Sequence, residues 1–143
     1  MKIKVPVLPG DRVTAHNPLG KEVEGLVSGA FSVDITEEKT DVYYFVNGEE
    51  VNAKNCKLFK KEEKPVPFKE LIIPDPIMPG TKTALLIGLE NQIAIVEQVT
   101  FRYGMEGTLP SFLYIFRTTA GTAITTEIGI FNVFNDTSMM KIF

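Results

Sequence analysis

Laid over itself at an offset of 70 residues, the chain matches its own second half, and no other feature constrains its fold as much. Ile3, Pro6, Pro9 and Gly10 fall on Ile73, Pro76, Pro79 and Gly80; without a gap, Leu19 then falls on Leu89, Phe31 on Phe101 and Tyr44 on Tyr114. Val23, Leu26, Phe45 and Val46 fall on Ile93, Val96, Ile115 and Phe116. These are seven identities in 44 positions, where ordinary composition gives about three by chance. Three further residues in the next turn put Gly48 on Gly121 and Val51 on Ile124. The expectation is an internal duplication: two units of about 70 residues, each large enough for a small core of its own.

Residues 60–70 are charged, carry Pro65 and Pro67 and lack apolar periodicity, which is how an exposed connection reads. The expected division is a first domain over 1–62, a linker over 63–70 and a second domain over 71–143. Residues 1–70 hold 11 basic and 12 acidic side chains, against 4 and 6 in 71–143, so the second half is much the poorer in charge.

Within the first half, 11–15, 21–32, 42–46 and 49–52 are rich in β-branched or aromatic residues and bounded by Gly, Pro and Asn, so they read as strands. Asn47-Gly48 between two of them predicts a type I′ hairpin, which needs positive φ at both central residues. The polar break at 53–56 suits a single 3₁₀ turn before a brief closing strand at 57–59. In the second half the corresponding strands are expected at 83–87, 92–103, 112–117, 122–126 and 130–134.

The pattern Pro9-Gly10-Asp11-Arg12-Val13, then Glu24-Gly25-Leu26-Val27, then Tyr44-Phe45-Val46 and Val51 before Leu58, resembles the small SH3-like barrels of the Tudor, KOW and agenet type. The resemblance covers about residues 8–60 and is one of fold, shared by many unrelated functions. It implies an all-β chain of two tandem SH3-like barrels, about five strands each, with an apolar C-terminal tail. For function, it implies that barrel aromatics can cage a cation or that basic residues can contact RNA.

Enzymatic chemistry finds few residues to carry it. His16, the only histidine, sits in a turn sequence, and no phosphate-binding glycine loop, nucleophile elbow or paired metal-ligating histidines occur. One cysteine, Cys56, excludes an internal disulfide and reads as a small buried hydrophobe. Glu37, Glu38 and Asp41 read as a solvated loop tip. No catalytic, metal or cofactor residues are expected. There is no run of roughly 18 apolar residues, and residues 1–6 lack the apolar stretch of a signal peptide. A cytoplasmic protein is expected, or one within a virion if viral, with no membrane.

The candidate contact residues are apolar. Tyr43 and Phe45 alternate with Tyr44 and Val46, which points them away from the core of their strand. Phe112, Leu113, Tyr114, Ile115 and Phe116 form a wholly apolar run that asks for cover on both faces. Met139, Met140, Ile142 and Phe143 add an apolar end. Charge depletion with added Met and aromatics marks interface cores, so a protein partner or self-association is expected. Lys54, Lys57, Lys60, Lys61 and Lys64 make a candidate basic patch, but Glu49, Glu50, Glu62 and Glu63 interleave with them and the net charge is −3, which leaves nucleic acid the less favoured partner. The leading expectation is a non-enzymatic interaction or assembly protein, of the kind found among structural or accessory proteins of viruses and phages. The competing one is a Tudor- or KOW-like module that binds a peptide or nucleic acid through the first barrel.

Overall fold

A computed structural model of the chain describes residues 1–59, 68–87, 89–104, 109–129 and 140–142. The protein is all-β: among the described residues there are twelve strands, one 3₁₀ turn and no α-helix, hence no helix long and apolar enough to cross a membrane. The first half holds β1 (Lys2–Val5), β2 (Arg12–His16), β3 (Glu22–Ile35), β4 (Thr40–Val46), β5 (Glu49–Asn52), the 3₁₀ turn Ala53–Asn55 and β6 (Cys56–Leu58). The second holds β7 (Lys69–Ile72), β8 (Lys82–Ile87), β9 (Glu90–Tyr103), β10 (Ser111–Thr118), β11 (Ala123–Gly129) and β12 (Met140–Ile142).

The antiparallel pairings recur in the two halves. The first runs β6-β2-β3-β4-β5 and the second β12-β8-β9-β10-β11. Matching local chemistry sets both up. In Leu8-Pro9-Gly10-Asp11 and Met78-Pro79-Gly80-Thr81 the last N–H donates to the first carbonyl at 3.1 Å. Proline fixes φ at the second position and glycine accepts φ of +93° or +90° at the third, the requirements of a type II turn. A buried tyrosine then ties down the segment after each leading strand: Tyr44 Oη donates to the Val7 carbonyl at 2.8 Å, and the Ile77 N–H donates to Tyr114 Oη at 3.0 Å. Asn47 and Gly48 both have positive φ, +52° and +75°, as the β4–β5 hairpin requires.

Two strand pairings join the halves. Antiparallel β1 and β7 align Ile3 with Leu71, and β3 and β9 align Phe31, Val33 and Ile35 with Tyr103, Phe101 and Val99. Residues 31–35 of β3 thus lie between β4 and β9, and 99–102 of β9 between β3 and β10. The result is one continuous sheet, β5-β4-β3-β9-β10-β11. Beneath it lies a single hydrophobic cluster fed by both halves. Rings of Tyr44, Phe31, Phe101, Phe112, Tyr114 and Phe116 follow one another across it at centroid separations of 5.1–6.4 Å. Phe31, Val33, Ile35, Val99 and Phe101 are all buried where the halves meet. At ~2 kcal/mol each, the gross gain from burying them is roughly 10 kcal/mol, before the conformational entropy it has to offset.

Several expectations need correction. The segment taken as a linker, 63–70, reaches into β7 at Lys69 and Glu70, and Lys69 Nζ lies 3.0 Å from Asp11 Oδ2 of the first half; 63–67 lie outside the described residues. β1 and β7 were not expected as strands. Each is four residues long, and its partner lies too far along the chain for a local pattern to announce it. The expected strand at 130–134 lies outside the described residues, while the strand that pairs β8, as β6 pairs β2, is β12. The ungapped offset of 70 also slips inside β3. Between Val27 and Phe31 that strand carries two more residues than β4, whereas between Val96 and Gln98 β9 carries one more than β10. By register Phe31 corresponds to Val99, and Phe101 to Val33; the Phe31–Phe101 identity is not a positional one.

Candidate functional site

The side of the central sheet turned away from the core collects four of the candidate contact residues, Tyr43, Phe45, Leu113 and Ile115. Side chains alternate along each strand. On β4, Tyr44 and Val46 fill the core while Tyr43 and Phe45 lie half-buried on the outer face. On β10, Phe112, Tyr114 and Phe116 are inside and Leu113 and Ile115 half-buried outside. Tyr43 and Leu113 hold corresponding places, as do Phe45 and Ile115. The strands between them, β3 and β9, give the outer face Ser32, Asp34, Thr100 and Arg102. Register aligns Tyr43 with Ser32 and Ser32 with Arg102, and Leu113 with Thr100 and Thr100 with Asp34. Two apolar pairs therefore flank a polar middle, three strand spacings or about 14 Å apart. Thr100 Oγ1 donates to Asp34 Oδ1 at 2.8 Å, closing the polar middle across the seam.

Charge is fixed at one border of this face. Asp41 is almost buried, with Lys39 Nζ at 3.3 Å and Lys54 Nζ at 3.5 Å. Burial pushes its carboxyl up, but the two lysines outweigh burial and hold it below its ordinary value. The Tyr43 hydroxyl is raised, first by burial and then by the negative charges of Asp41 and Asp34. An aromatic patch beside carboxylates results, with Asp41 already paired to Lys39 and Lys54.

The remaining candidates separate. Phe112, Tyr114 and Phe116 are interior and offer no contact surface, because alternation turns them inward, where they pack on one another and on Phe101 of their own half. Met140 and Ile142 belong to β12, aligned with Leu85 and Thr83 of their own half; Met139 and Phe143 lie outside the described residues. Of the basic patch, Lys54 is engaged by Asp41, Lys57 is exposed on β6, and Lys60, Lys61 and Lys64 lie outside the described residues. His16 ends β2, exposed, and the turn itself starts at Asn17, whose side-chain oxygen accepts the N–H groups of Leu19 and Lys21. Cys56 is buried with its thiol toward the Asn52 carbonyl at 3.8 Å, and burial pushes its pKa up to about 11, the opposite of what a nucleophile needs. Among the described residues no three of His, Cys, Asp and Glu gather as a metal site.

Sequence reasoning missed the polar middle, since β3 was expected to stop at residue 32. The alternation Phe31, Val33, Ile35 against Ser32 and Asp34 carried the signal. Nothing local announces that β9 lies alongside. No protein-family model, curated protein or solved structure matches the chain.

Proposed function

We propose that the chain is a non-enzymatic interaction and assembly protein, made of two SH3-like barrel units that arose by duplication and merged through a shared sheet, and that the outer face of this sheet is its contact surface. What supports the barrel reading is the recurring order β6-β2-β3-β4-β5, with a 3₁₀ turn leading into the strand that returns to β2. The assembly reading rests on Leu113 and Ile115, aliphatic side chains held half-buried on an outer face whose other surface is already a full core. A role among the structural or accessory proteins of viruses and phages fits such a surface.

The test is absolute mass by size-exclusion chromatography with light scattering over a range of concentrations, for the wild type and for Leu113→Asp and Ile115→Asp. Mass above the 15.9 kDa chain that falls in either variant, with the circular dichroism spectrum kept, supports the proposal. A monomer whose state and fold neither variant changes refutes it. One observation favours the second reading, a module that binds a peptide or nucleic acid through the first barrel: Tyr43 and Phe45 lie together, half-buried, on the outer face of β4. Tyr43→Ala with Phe45→Ala then abolishes ligand binding without unfolding the chain.

A further inference from the structure

The central sheet has two unlike ends. At one, β5 is four residues, Glu49-Glu50-Val51-Asn52; two are acidic, and the strand runs straight into the 3₁₀ turn, whose first free N–H, that of Lys54, is accepted by the Asn52 side chain. Shortness and charge are how proteins keep an edge strand from recruiting another chain. At the other end β11, which holds the same place in the second half, has none of these devices. It is seven residues, Ala-Ile-Thr-Thr-Glu-Ile-Gly, with no proline, lysine or arginine. Its register with β10 is unbroken from Ser111–Gly129 to Arg117–Ala123, so no bulge twists the edge away. Its single charge is turned to its own sheet, Glu127 Oε1 accepting Ser111 Oγ at 2.8 Å. Among the described residues β11 pairs β10 alone.

The order of residues along β11 says what fits there. Reversed against itself about Thr126, the strand sets Ile124 against Ile128, Thr126 against Thr126 and Thr125 against Glu127. Ile124 and Ile128 sit at the rim of the core, only partly buried, and each would gain the other as an apolar cross-strand neighbour. No like charges meet, because each Glu127 faces an uncharged threonine. A strand that reads the same both ways in chemical character suits an isologous twofold contact.

We propose that β11 is the seam of a homodimer, pairing antiparallel with β11 of a second copy so that two six-stranded sheets become one continuous sheet. This rests on the assembly reading and names its partner as a second copy. It also places the Leu113 and Ile115 strips of the two copies three strand spacings apart, about 14 Å, on one uninterrupted face.

Thr125 is exposed, so changing its charge leaves the fold intact, and it faces Glu127 of the other copy twice per dimer. Thr125→Glu puts like charges across the seam and Thr125→Lys puts opposite ones. A cross-strand charge pair contributes about 0.2–1 kcal/mol, so two shift the dimer dissociation constant by roughly 2- to 30-fold. Sedimentation equilibrium at low salt, with circular dichroism to confirm the fold, should show weaker association for Thr125→Glu and tighter association for Thr125→Lys. Concentration-dependent slowing of hydrogen exchange in residues 123–129 should accompany dimerisation. Wild-type association that neither variant shifts, while Leu113→Asp abolishes it, overturns the seam and leaves the assembly reading standing. A wild type that stays monomeric at every concentration overturns both.

Discussion

Removing one hydroxyl from Tyr44 asks whether the two halves unfold as one body. Tyr44 and Val7 are both fully buried, and the phenol is the partner of the Val7 carbonyl at 2.8 Å. Tyr44→Phe keeps the ring and its packing but leaves that carbonyl dry and unpaired, a cost of about 1–3 kcal/mol. In a chain of this length each kcal/mol lowers Tm by roughly 3–4 °C, so the expected drop is about 3–12 °C. Tyr114→Phe leaves the Ile77 N–H without its acceptor. A carbonyl has two lone pairs and tolerates loss better than a single N–H does, so this variant lies at the upper end of the range. The two sites stand about 14 Å apart across the sheet, beyond the distance at which substitutions couple, so the double variant falls by the sum. The assay is scanning calorimetry alongside circular dichroism. Because the two halves share one sheet and one hydrophobic cluster, every variant should show one cooperative transition with coincident midpoints. Two resolved transitions, of which Tyr44→Phe moves only the first and Tyr114→Phe only the second, would refute the shared core.

Asp41 supplies a pH signature. Its folded-state pKa lies below its ordinary value of 3.8, so the stability it adds through Lys39 and Lys54 is fully present above that value and is lost as pH falls through the folded one. The Tm difference between wild type and Asp41→Asn should therefore hold steady above about pH 5 and shrink below about pH 4; a difference unchanged down to pH 2.5 would remove Asp41 from the account. Gly48→Ala places a Cβ at φ +75° in the hairpin turn. The strain costs about 1–2 kcal/mol, read as a lower urea midpoint with an unchanged slope, and an unchanged midpoint would mean that the turn relaxes away from its positive-φ form.

The strands whose partners are neighbours in sequence were legible. Alternation and Asn47-Gly48 located β4 and β5, and Pro-Gly located the turns before β2 and β8, because those signals are local. The joining of the halves was not legible. β3 and β9 meet only because each, at fourteen residues, outruns its hairpin partner and leaves an edge for the other, and no residue type marks a strand for that purpose. The outer face was half legible for the same reason. Tyr43 and Phe45 announced themselves by alternation, but Asp34, Thr100 and Arg102 become one surface only after β3 and β9 pair. For Phe112 to Phe116 the apolar run was visible and its division into an inner triad and an outer pair followed from period two. That the ring row continues from this triad through Phe101 to Phe31 of the other half required the topology.

The two sides of the outer face share a frame and differ in chemistry. Corresponding positions on β4 and β10 carry Tyr43 against Leu113, Phe45 against Ile115 and Asp41 against Ser111, while on β3 and β9 Asp34 corresponds to Arg102. Inside, Val42, Tyr44 and Val46 match Phe112, Tyr114 and Phe116, and Phe31 and Val33 match Val99 and Phe101, while the match of buried Val13 is Thr83, whose hydroxyl donates to the Ala94 carbonyl. A face built to grip a single twofold-symmetric ligand along its middle would keep the same residues on both sides. This one is aromatic and acidic toward β5 and aliphatic with a cation toward β11, and its edges diverge in the same sense, closed and charged at β5, open and nearly neutral at β11. Symmetry broken on the surface and held in the core fits the proposed separation of two tasks, in which the β11 side would join copies and the β4 side would stay free, at the far edge of the enlarged sheet, to meet something else. A dimer made through β11 would then present two Tyr43–Phe45 patches at its opposite ends, and a partner carrying two matching segments would gain from holding both at once.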